Sequence, residues 1–167
     1  MDIDSLTQLS MSLSKPGVKE QDKLQLTCSA IAATIPHADR ISLWEFIEGK
    51  SAIRCIALLT EESFEIPADM ILREADYPEY FAAIIEDDTV CASSARKDPR
   101  TQCFNQGYFE PNQIYSLLDY IFSREFVTYG IICCESIGRE VEWTDDDIGH
   151  LKRAATVVSI YSYVESL

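Results

Sequence analysis

Aromatic rings, a small basic cluster and six cysteines are the residues of this chain best equipped for chemistry. Tyr77, Tyr80 and Phe81 lie close together, and Tyr108 and Phe109 follow in a later polar segment. Trp44 alternates with Ser42 and Phe46, so the three share one face of an extended strand; Ser116, Leu118 and Tyr120 share a face in the same way. A mixed lining of Ser, Tyr and Trp suits an aromatic or amphipathic small molecule. The same rings could instead fill the core over a sheet, and the period-two pattern leaves both sheet faces open as the pocket side. Arg96, Lys97 and Arg100 could recognise a carboxylate or phosphate. Asp98 among them offers a plainer alternative, local pairing within a turn. The expected ligand-contact set is Trp44, Tyr77, Tyr80, Phe81, Arg96, Tyr108, Phe109, Ser116, Leu118 and Tyr120.

The cysteines read as structural. Cys28 falls in a helical pattern, and Cys55, Cys133 and Cys134 fall in apolar strand runs. There is no CxxC, and His37 and His150 are the two histidines available as co-ligands. Buried free cysteine acts as a small apolar residue, and a domain of this size needs no covalent staple. A reduced, cytoplasmic protein is expected, with Cys133 and Cys134 pointing to opposite faces of one strand. Neither a metal site nor a catalytic residue is expected. Glu135 lies inside an apolar strand. It reads as a buried acceptor for backbone amides or Trp143, or as a sheet-edge residue, with no second carboxylate or base near it in sequence.

Elements that would position these residues can be placed along the chain. Asp4–Ser14 reads as a short helix closed by Pro16-Gly17, and Lys19–Ile35 as a second helix ended by Pro36. Leu24, Cys28, Ile31 and Ile35 form the apolar stripe of that second helix. Arg40–Ile47 and Ala52–Leu59 read as a hairpin about the Glu48–Ser51 turn. Met70–Glu74 is expected as a strand, and Tyr77–Ile85 as a helix with Pro78 in its first turn. Thr89–Ser93 reads as a strand, and Ser94–Asn112 as broken helical turns. Two long strands joined by a polar turn follow across 116–137. A helix should then run from Thr144 to about Glu165. Thr144 can cap it, Asp147 can complete a capping box, and Trp143 and Ile148 can form a hydrophobic staple. The run Asp145-Asp146-Asp147 therefore reads as a helix start, not a metal cluster.

Composition sets outer bounds. A chain of 167 residues suits one domain. Within 1–167, a short helix occupies 1–16, and a core domain with its terminal helices occupies 19–166. A net charge of −14 argues against nucleic-acid binding, which needs clustered Lys and Arg. No apolar run approaches the roughly 20 residues needed to cross a membrane, and the acidic, polar start is unlike a secretory signal. Hairpins at both ends of the sheet imply a mainly antiparallel α+β domain. The first and last helices should cover one face of the sheet, and the irregular stretch Ile66–Pro111 the other.

The segments LREADYPEYFAAI, ASSARKDPRT, GYF, SLLD, YGIICCESIG and EWTDDD, in that order, resemble the GAF domain of bacterial sensory proteins. The resemblance runs from about Lys19 to Val164. It departs where a proline often follows the SxLD segment, since Asp119 here leads into Tyr120. It implies a central six-stranded antiparallel sheet, N- and C-terminal helices on one face, and a loop and short-helix cover over a pocket on the other. Terminal helices of such domains often dimerise.

Specialised members of the family leave chemical marks. The Asn-Lys … Phe … Asp-Glu signature of cyclic-nucleotide binders is absent. Cys103 has no neighbouring histidine of the kind that accompanies bilin attachment, and neither histidine falls where a haem ligand is needed. Free-methionine-sulfoxide reductases share the fold and need an accessible thiolate with a resolving cysteine. Cys91 and Cys103 are the candidates, without the glycine-rich loop of those enzymes. The expectation is a sensory or regulatory, non-enzymatic domain that binds a small molecule, with no cofactor assigned. The alternatives are a ligand-free dimerisation module and, behind it, a reductase-like enzyme. On the last helix, Ile148, Leu151, Ala155 and Val158 form one apolar stripe. Val157, Ile160, Tyr161 and Val164 form a second, which needs a partner of its own. Ile160, Tyr161 and Val164 are the expected homodimer contacts.

Overall fold

In the computed structural model, which describes residues 3–161, the first and last helices start where side chains satisfy free backbone groups. Asp4 caps α1 (Ser5–Leu13) by accepting from the Thr7 amide at 3.0 Å. Helix α2 (Glu20–Thr34) buries Leu24, Thr27, Cys28 and Ile31 along one stripe. Pro78 opens α3 (Pro78–Asp87) at its first turn, where a missing amide hydrogen costs nothing. Helix α5 (Asp145–Tyr161) begins with the expected capping box. The Asp147 amide donates to Thr144 Oγ1 at 3.1 Å, and the Thr144 amide donates to Asp147 Oδ2 at 3.0 Å. The expected extension of this helix toward Glu165 lies outside the described residues.

All strand pairs are antiparallel. The strands are β1 (Arg40–Ile47), β2 (Ala52–Leu59), β3 (Phe64–Glu65), β4 (Ile71–Arg73), β5 (Thr89–Ala92), β6 (Ile114–Arg124) and β7 (Val127–Ile137). Their order is β3-β2-β1-β7-β6-β5, with β4 also paired to β2. The sheet thus has seven strands, not six: the two-residue β3 pairs Phe64 with Leu59 and is too short to leave a period-two pattern. β4 is shorter than the expected Met70–Glu74 for the same reason, since it meets β2 over three pairs.

The sheet separates two cores. On one face, α1, α2 and α5 bury Leu6, Leu9, Cys28, Ile31, Leu151 and Val158 against Ile41, Leu43, Leu118, Ile132 and Cys134. On the other, α3 and the stretch that follows it pack Tyr80, Phe81, Phe104 and Phe109 onto Trp44, Ile53, Leu117, Ile131 and Cys133. Cys133 and Cys134 fall in different cores, as strand alternation requires. The six cysteines are free thiols.

The cover after β5 is built from a 3-10 turn (Gln102–Phe104), a π-turn (Asn105–Phe109) and the single α-turn α4 (Glu110–Asn112). The π-turn inserts an extra residue per turn, which lets Tyr108 and Phe109 both face the sheet and become buried.

Candidate functional site

Charged residues within apolar strands build the centre of the cover-side core. Arg40 opens β1, Asp119 sits mid-β6 and Glu135 mid-β7; all three are buried. In the β6–β7 ladder Asp119 faces Cys133 and Leu117 faces Glu135, so the two carboxylates are diagonal neighbours on one face with the Cys133 thiol between them. Arg40 Nε donates to Glu135 Oε1 at 3.1 Å. The Tyr108 hydroxyl donates to the same oxygen at 3.3 Å and accepts from Arg40 Nη2 at 3.4 Å. From α3, the Tyr80 hydroxyl donates to Asp119 Oδ2. The second oxygen of each carboxylate, Asp119 Oδ1 and Glu135 Oε2, is buried without a hydrogen-bond partner.

Burial governs the ionisation of this cluster. Loss of solvent pushes the Asp119 carboxyl up to about 8, against the pull of Cys133 and Tyr80 and with the Glu135 charge adding to the rise. Glu135 is also raised by burial, with Arg40, Cys133 and Tyr108 opposing it. Burial holds the Tyr80 and Tyr108 hydroxyls well above the ordinary phenol range, so both stay protonated donors. Burial acts against the Arg40 charge, but Tyr108 and Glu135 outweigh it and the guanidinium stays charged. The cluster therefore holds one matched pair, Arg40–Glu135, and one carboxyl without a cationic partner.

Trp44, Ile53, Leu72, Tyr80, Phe104, Tyr108, Leu117, Asp119, Cys133 and Glu135 enclose a cavity of about 10 Å³, room for roughly one water molecule. Aromatic rings form much of its wall, with Trp44 and Tyr108 edge-to-face at 6.4 Å and Tyr80 and Phe104 at 5.0 Å. Larger depressions, such as one of about 470 Å³ beside Asp39, Glu62 and Arg139, are open grooves. The buried cluster, with its unpartnered oxygens, is the stronger candidate site.

The structure brings Trp44, Tyr80 and Tyr108 of the expected contact set to this cavity. Phe81 and Phe109 are fully buried in the core beside it. Tyr77 stands at the start of α3, half-buried, with its ring 4.5 Å from that of Phe104. Ser116, Leu118 and Tyr120 lie on the opposite face. Leu118 and Tyr120 pack with the terminal helices, and the Ser116 hydroxyl donates to the Ser93 carbonyl at 2.6 Å and accepts from the Val141 amide at 2.8 Å. The β6 residues that reach the cavity are their neighbours Leu117 and Asp119. Alternation is regular from Ser116 to Phe122, and a period-two pattern groups these residues by face without saying which face meets the cover.

In the basic cluster, Arg96 and Arg100 each make local contacts. Arg96 Nε donates to the Ile114 carbonyl at 2.8 Å, and its guanidinium lies 3.9 Å from the centre of the Tyr115 ring. Arg100 pairs with Asp98 and donates to the Cys91 carbonyl at 2.8 Å, the local arrangement offered as the plainer alternative. Glu135 binds neither Trp143 nor the sheet edge. Trp143 lies in the helix-side core, and Glu135 faces the cover because its strand neighbour Cys134 faces the helices. Arg40, Asp119 and Phe104 escaped the sequence reading. Asp119 and Glu135 share one available signal, a carboxylate inside an otherwise apolar stretch of strand; Arg40, opening β1, does not.

Cys91 and Cys103 belong to different layers, Cys91 packing against the helix-side core and Cys103 against the cover-side core. Burial raises both thiols above the ordinary value. Among the described residues no group of three or more His, Cys, Asp or Glu side chains could hold a metal ion.

The chain matches no family model and has no significant match among curated proteins. Solved structures do resemble it. The GAF domain of an Acinetobacter phosphoenolpyruvate-protein phosphotransferase superposes with a TM-score of 0.70 at 14% identity, covering 98% of this chain and 96% of that one. The phycocyanobilin-bound GAF domain of a cyanobacterial phytochrome gives 0.74 at 11% identity, covering 96% and 94%. The free methionine-R-sulfoxide reductase of Neisseria meningitidis, in complex with its substrate, gives 0.66 at 12% identity, covering 94% and 85%. The chain has a GAF-domain fold.

Proposed function

We propose that this protein is a sensory or regulatory domain of a cytoplasmic signalling system, binding a small molecule between the sheet and its aromatic cover. One observation carries the reading. Asp119 Oδ1 and Glu135 Oε2 are buried without partners at one small cavity, and a carboxylate oxygen in that state costs on the order of 1–3 kcal/mol unless a donor reaches it. A ligand that supplies those donors would bind and stiffen the cover at once, a usable signal for helices packed on the other side of the same sheet. Sensory proteins among the fold neighbours, including a phytochrome GAF domain, support this class of role. Six free cysteines support a reducing compartment.

Native mass spectrometry of the purified protein tests the reading. A reproducible co-purified mass, lost on denaturation, is expected. An empty chain, with no thermal shift across a metabolite library, overturns it.

A second reading, a ligand-free dimerisation module, draws on the near-filled interior and on exposed Phe126, Val127 and Ile160 at one end of the molecule. A reductase-like activity is disfavoured by the separation of Cys91 from Cys103 on opposite sides of the sheet and by their raised thiols. Turnover of free methionine sulfoxide with a thiol reductant, abolished by Cys91→Ser or Cys103→Ser, would reinstate it.

A further inference from the structure

We propose that the cavity beneath the cover takes the head of a compact monovalent organic cation, a primary ammonium, held between Asp119 and Glu135 with the rings of Trp44, Tyr80, Phe104 and Tyr108 about it. This rests on the small-molecule reading above and names the ligand class.

The charge count comes first. Arg40 neutralises Glu135, while Asp119 is met by the Tyr80 hydroxyl, a neutral donor, with the neutral Cys133 thiol opposite it in the ladder. Among the described residues, the titratable and charged groups near Asp119 are Tyr80 from α3, Cys133, Cys134 and Glu135 from β7, and, one contact further, Arg40 from β1 and Tyr108 from the π-turn. The ionised cluster is therefore one positive charge short. Cys133 cannot close the gap, because one S–H proton serves one carboxylate at a time.

Geometry specifies how that charge must be delivered. The diagonal register sets the Asp119 and Glu135 Cβ atoms roughly 7 Å apart, so one group with several N–H donors can bridge their two unpartnered oxygens. A bound water brings donors but no charge. A hard divalent metal needs about six oxygen ligands, and the wall is mostly ring and aliphatic carbon. Aromatic faces favour organic cations over hydrated metal ions. An anion would meet two carboxylates.

Size and access agree. About 10 Å³ matches an ammonium head and not a whole metabolite. Leu72, on the short strand β4 at the sheet margin, is the one half-buried residue of the lining. A ligand's tail would leave past it.

Binding must deprotonate Asp119, whose carboxyl is raised to about 8 by burial in the ligand-free protein. Cation affinity should therefore rise about tenfold per pH unit below 8 and level off above it. Titration calorimetry and thermal shift with methylammonium and n-butylammonium chloride test this at constant ionic strength, with n-butanol and sodium butyrate as neutral and anionic counterparts. The expected result is saturable binding of the cations alone. About one proton should be released per cation at pH 6.5, read from two buffers of different ionisation enthalpy. Asp119→Asn, which keeps the shape and removes a buried charge, should weaken binding roughly tenfold or more and abolish the pH slope.

Equal binding by wild type and Asp119→Asn, or binding without proton release, overturns the proposal. Binding of the neutral or anionic probe, or a neutral or anionic co-purified ligand, overturns the cation class and leaves the small-molecule reading standing. No stabilisation by any class, together with an empty native mass, overturns both.

Discussion

Asp119 makes folding sensitive to pH in a direction opposite to that of most carboxylates. Its carboxyl has the ordinary value of 3.8 in the unfolded chain and is pushed up to about 8 by burial in the folded protein. Between those values the folded state keeps a proton that the unfolded chain has released. The resulting stabilisation is fully present below 3.8 and is lost as the pH rises through 8. The slope attributable to this group is up to about 1.4 kcal/mol per pH unit. Glu135 is raised as well, so it acts with the same sign. Asp98, held low by Arg100, acts with the opposite sign but only as its own carboxyl titrates below 3.8. Urea unfolding of wild type and Asp119→Asn at several values between about pH 5 and 8 should give diverging curves, the wild type losing stability as pH rises. Parallel curves would show that Asp119 titrates normally. The residue is a binding group and a stability liability for one reason: it is a carboxylate placed where water cannot reach.

At the scale of elements, two glycines show how differently the same residue is used. Gly130 lies in β7 opposite Glu45 of β1 and Phe122 of β6. A Cβ there would sit 2.1 Å from the Trp44 carbonyl oxygen and 2.4 Å from Phe122 Cζ. The backbone contact cannot yield without displacing β1, the strand that carries Trp44 to the cavity. Gly130→Ala is expected to cost roughly 1–3 kcal/mol or more. Gly149 lies within α5, and a Cβ added there meets nothing within 4 Å. Gly149→Ala should instead stabilise by about 0.5–1 kcal/mol, through helix propensity and a less flexible unfolded chain. Chemical denaturation of the two variants should therefore move in opposite directions. A shift in the same direction would mean that the β1–β7 approach is looser than described.

For the whole molecule, the terminal helices form a layer of their own. Arg153 of α5 reaches Thr7 Oγ1 at 2.7 Å and Asp4 Oδ1 at 2.9 Å, and Ser10 of α1 donates to the Tyr161 hydroxyl at 3.1 Å. Part of the second apolar stripe of α5 is thus met by α1. Ile160 is not, being 67% exposed near Phe126 and Val127 of the β6–β7 turn. Val164, the third expected dimer contact, lies outside the described residues. The dimer we propose buries this end of the molecule against a second copy. Light scattering after size exclusion at tens of micromolar protein should give twice the chain mass for wild type. Ile160→Asp combined with Phe126→Ser should give a monomer of unchanged thermal stability. A monomeric wild type would remove the proposal.

What the sequence determined by itself was local. The cap at Thr144, the stops at Pro16 and Pro36 and the apolar periods of the long strands each depend on residues a few positions apart. They yielded the helices, the main strands and the antiparallel α+β class. Two-residue β3 was below the length at which a period can be read. The face of β6 that meets the cover was open to a period-two pattern, which groups residues by face but does not say what covers each face. Pairing of Arg40 with Glu135, and the meeting of Asp119 with Tyr80, joins residues far apart in the chain. Glu135 alone read as an anomaly in an apolar strand, while Arg40 and Asp119 drew no notice. Only the closure of the sheet under its cover set them together, removed their water and left two oxygens waiting for a donor.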